Sequence, residues 1–505
     1  MSLDHEEAST YWTSMADSGP APAPPRLRRS QKVGYALGHV LNDLCSSMWF
    51  TYLLLYFHKV IRFDNFYSGV VLFTGQMADG LATPFVGYFS DQGDDLTLCH
   101  KYGKRKSWHL VGTLSVLASF PFIFLRCIGC QTADDEAQLV YYAAFVIIFQ
   151  FGWAATQISH LSLIPDLTDC QNERTGLTAY RYGATVLSSI SIYLITWLFL
   201  GTAGGDDMIG PEDDVQFRNI MLCAVGLGAA ASALFHYLVQ EDPHQENRLN
   251  GSVRPDGTFH RRMLVLDWFK EPTFYLVGLV YLSTRLFVNL TQAYIPLYLQ
   301  VTLQLPSTFV AVIPLVMYVS GLATSIAMKW VNRVVGRKLT FILGCLIGVI
   351  GCIWIKVGCQ MNTNGVGIEI YGVAVVVGVG GSTMLITSLS STADLIGINN
   401  DSGAFVYGAM SLLDKISNGV AVIVIQQFIP SNTDTCILCR EYFRDILFFV
   451  CGGAALLGAL SMAGLYPFTL GQRARDLRAR AYESLPGNSY PEIGASSEER
   501  EPILS

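Results

Sequence analysis

Seven ionisable side chains interrupt the apolar stretches of this chain: Asp43, Asp79, Arg181, Arg285, Asp394, Asp414 and Lys415. A charge in hydrocarbon costs on the order of 3 kcal/mol, so each of them calls for a polar cavity or a partner. Acids and bases gathered together suit a small zwitterion: an acid holds the ammonium, and a base takes the carboxylate, bidentately where it is an arginine. Asp43 or Asp79 with Arg181 or Lys415 is such a set. Asp79 can instead carry a proton, or stand as a permanent counter-ion to Lys415 or Arg181.

Helical spacing places further polar residues beside these charges. His39 and Asp43 are four apart and share a face, as a substrate contact or as a polar lock between helices. Gln76, Asp79 and Thr83 align ahead of Pro84, and Gln150, Trp153, Gln157 and His160 recur at helical intervals. Amides such as Gln157 bind a polar substrate, and they equally join helices by hydrogen bonds. Thr178, Arg181 and Thr185 form a third line; Tyr281, Arg285, Asn289 and Gln292 form a fourth. Tyr407, Ser411, Asp414, Lys415 and Asn418 fall within a few turns, but Asp414 and Lys415 are chain neighbours that point about 100° apart and need not pair. The candidate substrate contacts are thus Asp43, Asp79, Gln157, Arg181, Arg285, Asn289, Tyr407 and Lys415. Asp394 is expected to be a structural tether.

The elements that position these residues are twelve apolar runs, from Val33–Phe57 to Leu447–Tyr466. Each approaches the ~20 residues that a helix needs to cross about 30 Å of hydrocarbon. The chain is 51% hydrophobic and 14% charged, against roughly 25% charged in soluble domains. The expected fold is an all-α polytopic membrane protein of twelve transmembrane helices. A wet cavity among a dozen helices implies a carrier. No helical zinc motif, P-loop or acid pair with a nucleophile appears, so neither an enzyme nor a cofactor or metal is expected. A net charge of −7 without a basic face excludes nucleic acid as a partner.

Lys and Arg set the orientation. The segments on the side of the termini hold 23 of the 33, while the opposite loops hold Lys59, Arg62, Arg126, Arg218, Arg440 and Arg444. Both termini are expected in the cytosol. The chain divides into a disordered tail (1–32), a six-helix bundle (33–240), a polar cytosolic loop (241–271), a second six-helix bundle (272–466) and a C-terminal tail (467–505). The loops opposite the termini carry Cys127 and Cys130, Cys359, and Cys436 with Cys439. Disulfides are expected among them if those loops face an oxidising lumen, with connectivity left open.

A local pattern recurs in the two halves. Gly87-Tyr-Phe-Ser-Asp91, an insert and Gly103-Lys-Arg-Lys106 follow the second run; Asn332-Arg-Val-Val-Gly336-Arg-Lys338 follows the eighth. Basic turns at matching places point to the parallel repeat of the major facilitator fold, with its substrate site near mid-bilayer between the halves. The basic turns are expected to clasp acids on the cytosolic side, such as Asp91.

Within that superfamily the chain resembles the glycoside-pentoside-hexuronide branch, the melibiose permease group. The second run reads Asp79-Gly-Leu-Ala-Thr83-Pro84-Phe-Val-Gly87 where that group has Asp-x-x-x-Asp-Pro-x-x-Gly. Gln157-Ile-Ser-His-Leu-Ser162-Leu-Ile-Pro165, Tyr180-Arg181-Tyr182 and Asp394…Asp414-Lys415 match its later helices. The resemblance implies a sugar-contacting acid at Asp43 and functional roles for Arg181 and Lys415. Two acids of the group's cation site are replaced here, by Thr83 and Gln157. Asp79 stands alone there, so proton coupling or facilitated passage is expected in place of sodium coupling.

Longer blocks, including Gly38-His-Val-Leu-Asn-Asp43 and Ser402-Gly-Ala-Phe-Val-Tyr407, resemble an organellar subfamily of the same superfamily. That resemblance implies a transporter of lysosomes and melanosomes, tied to pigmentation, that moves cysteine or a similar zwitterion from cytosol to lumen. A coupled sugar or lysolipid carrier is the alternative. The chain ends Glu498-Glu499-Arg500-Glu501-Pro502-Ile503-Leu504-Ser505, and Glu499 with Ile503 and Leu504 resembles the acidic dileucine signal that clathrin adaptors read.

Overall fold

The computed structural model describes residues 27–92, 102–168, 171–202, 208–240, 265–358, 366–396, 403–430, 437–468 and 470. The expected sorting residues Glu499, Ile503 and Leu504, the cysteines Cys359 and Cys436, and the Asp91 and Cys439 side chains lie outside the described residues. So does most of the expected inter-bundle loop.

Among the described residues the chain is helical, without strands. The first half holds α1 (Val40–Leu55), α2 (Asn65–Gln92), α3 (Lys104–Ile123), α4 (Asp135–Leu167), α5 (Gln171–Thr202) and α6 (Asp214–Leu238). The second holds α7 (Pro272–Leu297), α8 (Ser307–Val335), α9 (Arg337–Val357), α10 (Val366–Ile396), α11 (Gly403–Gln427) and α12 (Gly452–Gly464). A short helix, Arg29–Leu37, leads into α1 across a break at Gly38 and His39, and Ile437–Asp445 leads into α12.

Eight of these helices, α4 to α11, and the stretch Glu441–Gly464 that ends in α12 are long and apolar enough on length and composition to cross a membrane. The sequence suggests twelve such segments, and α1, α2 and α3 fall short for a physical reason. They carry Asn42, Asp43, Thr51, Gln76 and, at the start of α3, Lys104 and Lys106, and these side chains are buried among other helices. A helix that shows polar groups to its neighbours need not be apolar all round. Outward positions behave as a lipid-facing surface should: Leu81, Ile326 and Leu460 are each more than two-thirds exposed.

The two halves are built alike. α1 packs on α5 and α6, α2 on α4, and α3 on α4 and α6; α7 packs on α11 and α12, α8 on α10, and α9 on α10 and α12. The halves meet through α1 with α7, α2 with α11 and α5 with α8. Matching irregularities support the duplication. α1 runs into a π-helical turn (Tyr56–Ile61) and then a left-handed Arg62, φ 59°. α7 runs into another (Tyr298–Thr302), with a left-handed Gln304, φ 52°, just beyond. Such φ values are uncommon outside glycine, and their recurrence marks equivalent positions.

The basic turns are anchored inside their own halves. Gly103 (φ 101°) and Gly336 (φ 85°) start α3 and α9 with backbones that favour glycine. Lys106 Nζ donates to the His236 carbonyl at the end of α6 (3.1 Å), and Lys338 Nζ to the Leu465 carbonyl just beyond α12 (2.7 Å). A lysine suits the negative end of a helix dipole. Arg105 Nε lies 3.6 Å from Asp166 Oδ2, and Arg337 pairs with Asp394. Asp394 therefore acts as a tether within its half. At the opposite end of the bundle the halves touch: the Ile209 amide donates to Gln300 Oε1 (2.8 Å), and the His58 and Phe443 rings stand 6.1 Å apart. The loop beyond α3 carries a Cys127–Cys130 disulfide.

Candidate functional site

The interior charges form three groups, each assembled from different helices. In the first half, His39 Nδ1 lies 2.9 Å from Asp43 Oδ1, one turn along the same strand of backbone. Arg181, on α5, donates from Nη2 to His39 Nε2 (3.1 Å), and Thr185 donates to Asp43 Oδ2 (3.0 Å). Asp43 and His39 are only 4% and 5% exposed. A buried carboxylate needs partners, and His39 and Thr185 satisfy one oxygen each.

The second group crosses the halves. Lys415 Nζ on α11 stands 2.8 Å from Asp79 Oδ2 on α2, and it also donates to Thr83 Oγ1 (3.1 Å). Thr83 in turn donates to Asp79 Oδ1 (3.2 Å). Of the two counter-ions open to Asp79, the structure supplies Lys415; Arg181 is engaged with His39 on a different helix pair. The residue that replaces the second acid thus completes a neutral cluster with an ammonium.

The third group lies within the second half. Arg285 Nε donates to Asp414 Oδ2 (3.0 Å), Asn418 Nδ2 to Asp414 Oδ1 (2.7 Å), and Asn289 reaches the same oxygen at 3.4 Å. The Arg285 guanidinium lies over the Tyr281 ring, 5.7 Å from its centroid. Arg285 and Asn289, read as one stripe, therefore converge on an acid of the neighbouring helix. Gln157 accepts a hydrogen bond from Trp153 Nε1 of its own helix (2.8 Å), and Tyr407 is 41% exposed on α11.

Between the halves lies a cavity of about 250 Å³. α1, α5, α7, α8 and α10 contribute walls that include Ser46, Thr185, Ser189, Tyr193, Gln292 and Tyr318, with apolar residues covering most of the remainder. Gln292 Nε2 lies 3.0 Å from Thr51 Oγ1 and 3.4 Å from both the Tyr193 and Tyr318 hydroxyls, so one amide ties together four helices of both halves. None of the eight residues singled out by sequence is on this wall. Asp43 and Arg181 come nearest, through Thr185, which lines the cavity and hydrogen-bonds Asp43. Sequence reading passed over Tyr193 and Tyr318 because each sits in an apolar run, where an aromatic looks like packing. Gln292, at the end of the Arg285 stripe, was the available signal.

A family model described as MFS/sugar transport protein matches residues 34–472. The chain belongs to that family of the major facilitator superfamily. This transporter is 45% identical over 481 residues to major facilitator superfamily domain-containing protein 12 of Homo sapiens, covering 91% of its own length and 98% of the relative's. It is also similar to sodium-dependent lysophosphatidylcholine symporter 1 of Gallus gallus, at 26% identity over 186 residues, 37% of this chain and 32% of the relative. A crystal structure of the D-xylose-proton symporter superposes with a TM-score of 0.62 at 14% identity, covering 86% of this chain and 96% of that one. At that identity the likeness concerns the fold. Fold and family are those of transporters, not enzymes, and the solute passes within a lipid bilayer. Among the described residues no group of His, Cys, Asp or Glu is arranged to hold a metal ion.

Proposed function

We propose that this transporter carries a small zwitterionic amino acid, with cysteine the first candidate, from cytosol to lumen of lysosomes and melanosomes by alternating access. The observation that carries the reading is the cavity wall at Thr185, backed by Asp43, His39 and Arg181. An acid and a guanidinium behind one wall suit an ammonium and a carboxylate on one small solute, and a thiol asks only for an apolar recess. A volume near 250 Å³ suits a solute of that size. The blocks that resemble the organellar subfamily support cysteine and the destination. The dileucine signal at Glu499, Ile503 and Leu504 supports delivery by clathrin adaptors, with both termini in the cytosol. Rocking of the two halves about the cavity would expose it to either side in turn.

A second reading, a lysolipid carrier, draws on the mostly apolar cavity walls and the similarity to a lysophosphatidylcholine symporter. Uptake of labelled cysteine into proteoliposomes that hold only this protein decides between them. Saturable uptake, competed by unlabelled cysteine and unaffected by hexoses or lysophosphatidylcholine, is expected. Uptake of labelled lysophosphatidylcholine by the same vesicles with no cysteine uptake would overturn the amino-acid reading.

A further inference from the structure

We propose that Cys127 and Cys130 form a thiol–disulfide exchange site for small thiols, cysteine among them, on the face of the bundle opposite the termini. The proposal goes beyond transport and holds whichever solute the cavity takes.

The bridge does little as a brace. It joins residues three apart in one turn, and so links no two elements. Closing so short a loop removes less freedom from the unfolded chain than closing a long one, and the stabilisation shrinks with it. The neighbouring elements are tied without it. α3 packs along α4, the Tyr142 hydroxyl of α4 donates to the Leu125 carbonyl (3.1 Å), and Arg126 Nη2 donates to the Pro211 carbonyl (2.8 Å). The Ala133 amide donates to the Cys130 carbonyl (3.1 Å), and Gly129 (φ 80°) supplies the left-handed corner between the two cysteines. A disulfide that fastens only its own turn can open without dismantling the fold.

The two sulfurs differ in access. Cys127 is 2% exposed and belongs to the hydrophobic core, whereas Cys130 is partly exposed, beyond an Ile128 side chain that stands in the open. An incoming thiolate therefore attacks Cys130, and Cys127 is the leaving group. With Cα atoms 5.3 Å apart, the freed Cys127 stays beside the mixed disulfide and can close the bridge again. In the first step the solute sulfur bonds to Cys130 Sγ, the Cys127–Cys130 bond breaks, and its electron pair leaves on Cys127, which takes a proton. A second solute thiolate then bonds to the first solute's sulfur, and the pair leaves on Cys130, which takes the other proton. Two small thiols become one small disulfide, and their two electrons and two protons end on the protein dithiol. The reverse reaction, with a small disulfide as the oxidant, restores the bridge.

The position suits a thiol that is leaving the transporter. Pro211, which Arg126 holds, follows closely on Ile209, whose amide donates to Gln300 of the second half (2.8 Å). The turn thus borders the contact that must part when the halves open on that face.

The test uses the full chain in nanodiscs, held in mixtures of cysteine and cystine, quenched with acid, alkylated and mapped by peptide mass. Each tenfold rise in cysteine at fixed cystine should raise the ratio of reduced to bridged Cys127–Cys130 about a hundredfold, because two thiols enter the exchange. In Cys127→Ser the outer thiol should take a cysteinyl group from cystine about tenfold faster than the inner thiol does in Cys130→Ser. A pair that stays bridged at every cysteine concentration, and opens to dithiothreitol only in denaturant, is a brace and overturns the proposal. Faster capture at Cys127 than at Cys130 overturns the assigned order of attack and the site with it. No arm of this test reads transport, so a failure of cysteine uptake in proteoliposomes bears on the preceding reading alone.

Discussion

Lys415 reaches away from its chain neighbour Asp414 to meet Asp79 on α2, at 2.8 Å, and so ties the two halves by an ion pair deep in the helix bundle. Asp414 turns instead to Arg285 of its own half. Two adjacent residues thus serve two interfaces, one between the halves and one within the second.

Breaking the first of these pairs should be costly. The Lys415 and Asp79 side chains are 12% and 16% exposed. Removing one partner of such a pair leaves a buried charge, at about 3–5 kcal/mol. Asp79→Asn or Lys415→Met alone should lower the thermal midpoint in nanodiscs, and the double variant should recover most of the loss. Additive single losses in a double-mutant cycle would show that the pair does not couple the halves.

Gln292 is expected to be felt in transport more than in folding. Its amide bridges Thr51, Tyr193 and Tyr318 beside the cavity. Gln292→Leu keeps the volume and removes the bridge, worth about 1 kcal/mol per hydrogen bond. Uptake should fall by roughly tenfold at unchanged protein level, since 1.4 kcal/mol is a factor of ten. Wild-type kinetics in that variant would remove Gln292 from the mechanism.

The close helix crossings offer a stability test. A Cβ on Gly112 of α3 would lie 2.6 Å from the Thr156 amide nitrogen and 2.7 Å from the Gly152 carbonyl; on Gly380 of α10 it would lie 2.7 Å from the Gly348 amide. These clashes are with backbone, which cannot step aside. Gly112→Val and Gly380→Val should each cost about 1–3 kcal/mol or more, read as reduced monodisperse yield and thermal midpoint. Gly226→Ala, where nothing lies within 4 Å of a Cβ, is the control expected to fold as wild type.

The sorting proposal is tested in cells. Replacing Ile503 and Leu504 by Ala should move the protein from lysosomes to the cell surface while leaving uptake per molecule unchanged. Unaltered lysosomal delivery would show that another segment carries the address.

Much of the architecture was legible in the residues themselves. Twelve apolar runs and the paired Gly-basic turns led to two six-helix halves, because hydrophobic length and repeated local chemistry are properties of sequence. The same spacing placed His39 with Asp43, one turn apart, and pointed Asp414 away from Lys415. Partner choice was not legible. Whether Asp79 meets Lys415 or Arg181 depends on how far α2 slides against α11 and α5, and that register comes from side-chain packing over whole helices. The cavity wall eluded sequence for the same reason: Tyr193 and Tyr318 are ordinary aromatics in apolar runs until the halves close round Gln292. Helical periodicity decides which face a residue occupies; only tertiary packing decides what that face meets.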